Sequence, residues 1–148
     1  MESMATYLEI FARLGIAALF GGLIGFERDL HHKIAGFRTY SVVSLGSALI
    51  MLVSLHIFEI YHGLTSVDPG RIAAQVVAGV GFLGAGTIIR DQTHVKGLTT
   101  AAGIWLASGI GLACGLGYFG AAAIATVMSL FVLVVFSYIG RKMGSRDV

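Results

Sequence analysis

Charged residues, cysteine and proline are all scarce in this sequence, and each shortage excludes a class of protein. Asp, Glu, Lys and Arg make up 12% of the 148 residues, against roughly a quarter in soluble domains. The only cysteine, Cys114, excludes a disulfide framework and a thiolate metal cluster within the chain. The five histidines show no H-E-x-x-H or other zinc spacing. Since no nucleophile and base stand out either, we expect neither an enzyme nor a cofactor.

Apolar residues are abundant and fall into long runs. They make up 56% of the chain, and the mean hydropathy is +0.86, so the sequence indicates a membrane protein. Five runs approach the roughly 20 residues that a membrane-spanning helix needs: 6–26, 39–58, 72–89, 98–116 and 118–139. We therefore predict an all-α, polytopic bundle in which residues 1–148 form one membrane domain with no soluble domain.

Only Gly115–Gly117 separates the last two runs, which predicts a tight helical hairpin. The alternative is one long helix with a re-entrant segment. The start, "MESMATYLE", has no basic region, so we expect the first helix to be retained rather than cleaved as a signal peptide.

The positions of lysine and arginine predict the orientation. If the amino terminus lies outside, eight of the ten basic residues fall in cytoplasmic segments, and only Arg13 and Arg71 lie outside. The reverse orientation would export those eight. We therefore predict an external amino terminus and a cytoplasmic carboxyl terminus.

The stretch "GVGFLGAG", residues 79–86, contains the pattern G-x-G-x-x-G. A dinucleotide site would also need a preceding strand and an acidic residue about twenty positions later, and both are missing. In membranes, small residues let helix backbones approach closely, so Gly79, Gly81, Gly84 and Gly86 favour a packing seam. The alternative is an unwound segment whose carbonyls coordinate a cation.

Other small residues repeat at helical spacing. Gly21 with Gly25 and Gly111 with Gly115 have the G-x-x-x-G spacing of helix contacts. Two faces follow the helical period: Gln75, Gly79, Phe82 and Gly86 in the third helix, and Thr100, Gly103, Ala107 and Gly111 in the fourth. We expect these faces to pack. In the seam at 79–86, we expect Gly81→Leu or Gly84→Leu to lower oligomer content or yield.

Polar residues near the membrane are the functional candidates. Glu27 ends the first predicted helix and Arg38 opens the second, so the two can form an ion pair or can each be solvated at headgroup depth. Glu9 and Arg13 have the spacing of a local helical pair. Asp68 can cap the third helix, and Gln75 can hydrogen-bond to a neighbouring helix.

Three stretches carry a resemblance to a known family. They are "GGLIGFERDLHHKIAGFRTYSVVSLGSAL" at 21–49, "DPGRIAAQVVAGVGFLGAGTIIR" at 68–90 and "VKGLTTAAGIWLASGIGLACGLGYF" at 95–119. Together they closely resemble the MgtC/SapB family of bacterial inner-membrane proteins. The residues that match its pattern are Glu27, Arg28, Gly36, Arg38, Asp68, Arg71, Gln75, Gly79, Gly81, Gly84, Gly86, Gly97, Thr99, Thr100 and Trp105.

The resemblance implies a role in growth under magnesium limitation and, in intracellular pathogens, in survival inside macrophages. It implies a regulator of membrane energetics that restrains the F-type ATP synthase, or alternatively a magnesium or other cation transporter. The best-known members carry an additional cytoplasmic carboxyl-terminal domain, which we do not expect here. The expected partners are the lipid bilayer, a second copy in a dimer and another membrane protein such as that synthase, and no nucleic acid. Neither the sequence nor the resemblance indicates which residues would bind a metal ion.

Overall fold

The computed structural model describes residues 4–64, 66–92 and 94–142, and helices dominate them. The elements in chain order are α1 (Met4–Leu30), α2 (Phe37–Tyr61), α3 (Gly70–Gly86), β1 (Ile89–Arg90), β2 (Val95–Lys96), α4 (Leu98–Leu116), α5 (Phe119–Phe131), a π-helical turn (Val132–Phe136) and α6 (Ser137–Lys142). The predicted all-α membrane bundle is confirmed. Four helices are long and apolar enough to cross a membrane, the fourth of them running from Phe119 to Gly140, while α3 has 17 residues.

Most helix boundaries differ from the prediction by one to four residues, and two of these differences affect the candidate residues. α1 continues one turn further, to Leu30, so Glu27 lies within the helix instead of ending it. α3 ends at Gly86 instead of continuing to Ile89, because the Thr87 main-chain N–H and hydroxyl both donate to the Gly84 carbonyl, at 3.0 and 2.8 Å. The next residues form a short antiparallel hairpin in which β1 pairs with β2.

The turn between α4 and α5 is the predicted tight hairpin. Gly117 has φ of +82°, a conformation that favours glycine. Its N–H donates to the Cys114 carbonyl at 2.9 Å, and the Tyr118 N–H donates to the Ala113 carbonyl at 2.8 Å. These bonds close α4 in the manner of a Schellman motif. A single long helix is therefore ruled out.

Helices α1, α2 and α4 pack backbone to backbone. A Cβ atom added at Gly21, Gly25 or Gly115 would lie 2.5–2.7 Å from the Tyr40, Gly36 or Ala48 carbonyl oxygen, respectively. A Cβ atom added at Gly111 would lie even closer to the main-chain carbonyl of Ser44 in α2. The stripe of α4 is buried throughout: Thr100, Gly103, Ala107 and Gly111. Small residues in these three helices therefore build the centre of the bundle.

Only one glycine of "GVGFLGAG" packs inside the chain. α3 rests on the bundle through Val76, Val80 and Gly84, and a Cβ added at Gly84 would lie 3.4 Å from the Ala101 carbonyl oxygen. Gly79, Gly81 and Gly86 face open space, so the predicted seam is not made there within the chain. α3 is helical through this stretch, and the predicted alternative of an unwound segment is not found.

The bundle has two ends, which we name after one residue at each. At the Glu27 end, α1 and α3 finish and α2 and α4 begin. At the Arg13 end, Arg13 Nη1 donates to the Gly115 carbonyl at 2.6 Å, and the Ser54 hydroxyl donates to the Pro69 carbonyl at 2.5 Å. Arg13 also pairs with Glu9, as the spacing predicted. The predicted orientation places the Glu27 end in the cytoplasm.

Candidate functional site at the Glu27 end

A buried ion pair lies in the last turns of α1. Glu27 and Arg28 are only 6% and 3% exposed. The Arg28 guanidinium donates two hydrogen bonds to the Glu27 carboxylate, from Nε to Oε2 at 2.5 Å and from Nη2 to Oε1 at 2.8 Å. His31 Nδ1 lies 3.0 Å from the same Oε1 atom. Because a bidentate pair satisfies both ions at once, this pair can remain charged while it is buried.

The Glu27–Arg38 ion pair considered from the sequence is not formed. Glu27 binds Arg28 and His31 instead, and Arg38 is exposed in the first turns of α2. The reason is the additional helical turn of α1, which carries the Glu27 carboxylate into the bundle beside Arg28 of the same helix and His31 of the turn that follows it. The spacing of Glu27 and His31, which are four residues apart, was a signal for their contact.

Tyr40 joins the three central helices beside this pair. It is fully buried, and its hydroxyl donates to the Thr100 carbonyl in α4 at 3.2 Å. Its main-chain carbonyl lies against Gly21 of α1, and its ring occupies the space that a side chain at Gly103 would take. Sequence reasoning missed Tyr40, because an aromatic residue in an apolar helix gives no sign of a polar contact.

Asp29 and Gly36 fix the loop between α1 and α2. Asp29 Oδ2 accepts a hydrogen bond from the Phe37 main-chain N–H at 2.8 Å. Asp29 therefore caps the start of α2, although it lies eight residues earlier in the sequence. A side chain at Gly36 would occupy the position of the Asp29 carboxylate. The cap therefore requires glycine at position 36, a dependence that no local spacing revealed.

We expect Asp29→Ala to lower the free energy of unfolding by about 1 kcal/mol, because the first turn of α2 loses its cap. Gly36→Ala should cost at least as much, since the new methyl group displaces the same carboxylate. Asp29→Asn is the matched control, because its amide oxygen can still accept the bond. Denaturant unfolding in detergent micelles measures all three, and an Asp29→Ala variant as stable as the Asn variant would contradict the assignment.

The other predicted candidates lie at the opposite end of the bundle. Asp68, Arg71 and Gln75 line an open cavity of about 430 Å³ at the start of α3, with Ser66, Val67 and Ile72. Asp68 caps that helix as predicted, with Oδ1 accepting from the Gly70 N–H at 2.8 Å. The candidate residues therefore form two separate groups, one at each end.

No metal site is assembled in the part of the chain that the structure describes. Its histidine, cysteine, aspartate and glutamate side chains nowhere form a group of three able to hold an ion. The carboxylates of Glu59, Asp68 and Asp91 are exposed.

Sequence comparison identifies the family. The pattern of the MgtC family matches residues 14–142, which is most of the chain and includes both groups of candidates. The chain belongs to the MgtC family.

Relatives within the MgtC family are similar over most of this chain. The Escherichia coli K12 protein named "Putative magnesium transporter YhiD" is 47% identical over 141 residues, covering 94% of this chain and 66% of that protein. "Protein MgtC" of Brucella abortus is 45% identical over 123 residues, covering 82% and 48%. "Protein MgtC" of Salmonella choleraesuis is 45% identical over 149 residues, covering 100% and 61%. The chain thus spans about half to two thirds of the length of these relatives.

No solved structure matches the chain. The residues that match the MgtC-family pattern lie at both ends of the bundle. Glu27, Arg28 and Gly36 build the buried pair and the α2 cap at the Glu27 end, while Asp68, Arg71 and Gln75 are exposed at the Arg13 end. Gly97 turns the chain into α4 with φ of +92°.

Proposed function

We propose that this chain is a multi-pass protein of the bacterial inner membrane that acts in adaptation to low magnesium by regulating another membrane protein. Relatives of similar sequence bear the names "Protein MgtC" and "Putative magnesium transporter YhiD", which supports the link to magnesium. Family resemblance suggests the F-type ATP synthase as the regulated partner. We propose no catalytic activity, since regulation by contact requires none.

The closed centre of the bundle supports regulation over transport. α1, α2 and α4 approach to backbone contact, which leaves little space for a hydrated ion between them. Among the described residues, the buried ionisable side chains with charge are Glu27 and Arg28, and each neutralises the other. Several buried hydroxyls donate to carbonyls of their own helices: Ser47, Ser108, Thr126 and Ser129. A single copy therefore offers a poor route for an ion and acts through its outer surfaces.

Cation transport is the second candidate. The name of the Escherichia coli relative, "Putative magnesium transporter YhiD", favours it. In this chain, transport would need a path between copies rather than through one copy.

We expect liposomes that contain the purified protein to show no saturable magnesium or proton flux above empty liposomes, because the bundle is closed. Fluorescent indicators for the two ions, trapped inside the liposomes, measure this. Glu27→Gln is a poor control here, since it also leaves a buried guanidinium unpaired. Asp68→Asn is better, because it removes an exposed charge and keeps an acceptor for the helix cap. Saturable flux that Asp68→Asn reduces would establish a carrier.

Proton pumping by the F-type ATP synthase tests the proposed regulation. F-type ATP synthase reconstituted with the protein should pump protons at a lower rate per ATP synthase than the enzyme alone. A Gly111→Leu variant at the same protein-to-lipid ratio controls for crowding of the bilayer, because its α2–α4 contact is broken. An equal pumping rate with and without the intact protein would exclude this partner.

A further inference from the structure

The outer face of α3 has no partner in the chain. Gln75, Gly79, Phe82 and Gly86 lie along this face, and all four are exposed. The Phe82 side chain is 83% exposed, the largest value among the large apolar residues of the described chain. Helix α3 instead contacts α2 and α4 through its opposite face. A face that combines an amide, an aromatic ring and glycines differs from the aliphatic surface expected against lipid alone.

Gln75 indicates that a polar partner, rather than lipid alone, covers this face. It lies more than one turn inside an apolar helix, and its side-chain amide forms no hydrogen bond with any described residue. An amide without a partner in hydrocarbon is costly. Glutamine has both donor and acceptor atoms, so two copies of Gln75 at the same depth can satisfy each other across a twofold axis.

Asp68 and Arg71 give this face complementary charges. Both are exposed at the start of α3, and neither forms an ion pair within the described residues. The Asp68 Oδ1 atom accepts from the Gly70 N–H, while Oδ2 remains available. A twofold axis along the membrane normal would bring Asp68 of each copy towards Arg71 of the other, and so form two equivalent pairs.

The shape of the outer face of α3 also fits a second copy of the chain. Gly79 and Gly86 lie about one turn before and after Phe82, and an added Cβ at either would meet nothing within 4 Å. A Phe82 ring from a second copy fits against such a glycine, where backbones can approach closely.

The length of α3 also favours association with a second copy. With 17 residues, α3 is about 25 Å long, shorter than a hydrocarbon core of about 30 Å. Association with a second copy is one way to relieve such a mismatch.

We propose that the outer face of α3 is the contact between two copies of this chain, related by a twofold axis along the membrane normal. Gln75 pairs with Gln75 of the second copy, Asp68 with Arg71, and Phe82 packs against the glycines. This contact goes beyond the proposed function and does not depend on it. A dimer can form whether the chain regulates a partner or carries an ion.

Cysteine cross-linking of the full chain in membranes tests the contact. Phe82→Cys should form a disulfide-linked dimer under mild oxidation. Phe131→Cys is the matched control, because Phe131 is an exposed phenylalanine on α5, whereas α3 packs mainly on α2 and α4. The unaltered chain is the blank, since its only cysteine is buried. Cross-linking of Phe82→Cys no greater than that of Phe131→Cys, or cross-linking only to a different protein, would overturn the proposal.

Dimer dissociation in lipid vesicles, followed by energy transfer between labelled copies, gives a second measure. Gln75→Leu should raise the dissociation constant roughly three- to thirtyfold, the range expected for interhelical hydrogen bonds. Arg71→Asp should weaken the dimer as well, and adding Asp68→Arg in the same chain should restore it. A Gln75→Leu dimer as tight as the original or tighter would mean that this face contacts lipid, which overturns the proposal.

Discussion

Gly111→Ala is expected to lower the free energy of unfolding by about 2–3 kcal/mol, the upper part of the usual cost of overpacking a filled core. The added methyl group would lie against the main chain of Ser44 in α2, including its carbonyl. Backbone cannot move aside as a flexible side chain does, so α2 and α4 must separate to admit the methyl group. Denaturant unfolding in mixed micelles, followed by circular dichroism, measures the loss.

Gly109→Ala is the matched control for this variant. Gly109 lies in the same helix, and an added Cβ there meets nothing within 4 Å. Alanine in a helix interior is more favourable than glycine by up to about 1 kcal/mol, so this variant should be as stable as the original or slightly more stable. Equal effects of the two substitutions would show that helix propensity, rather than contact with Ser44, determines the stability.

Glu27→Gln is expected to have the larger effect, a loss of about 3–5 kcal/mol in the free energy of unfolding. The substitution leaves the Arg28 guanidinium buried without its counter-ion. Arg28→Gln should be similarly damaging, because it leaves the carboxylate unpaired. Replacing both residues by leucine should recover most of the loss, since a buried ion pair and an apolar pair of similar volume are often close in stability.

The exposed pair of Glu9 and Arg13 is the control for this experiment. Its glutamate side chain is 60% exposed, and exposed ion pairs contribute about 0–1 kcal/mol. Glu9→Gln should therefore change the stability little. If Glu27→Gln were equally mild, the buried pair would not be structural, and Glu27 would again be a candidate for binding an ion.

Hydropathy and glycine spacing were sufficient to predict the bundle. The apolar runs located five helices, since spanning segments must be long and apolar, and the glycine spacings at Gly21 and Gly111 fell on helix contacts. The end of α3 was not predictable in the same way. Its apolar run continues through Ile88 and Ile89, and hydropathy alone cannot detect the Thr87 hydrogen bonds that stop the helix.

The polar contacts were predicted less well, for two physical reasons. Adjacent residues on a helix do not normally face each other, so nothing in the sequence suggested Arg28 as the partner of Glu27. In α3, small or apolar residues occur on both sides, and periodicity alone cannot tell which side meets the bundle. The structure turns Val76 and Val80 inward and leaves Gln75 outside.

The close approach of α1, α2 and α4 also limits how this domain can change shape. Helices whose main chains already touch cannot slide or rotate past one another without first separating. Helix α5, by contrast, borders an apolar groove of about 370 Å³ shared with α1 and α4, and α3 contacts its neighbours through one narrow face. Conformational change in this protein is therefore expected as rigid-body movement of α3 or α5 against a fixed core of three helices.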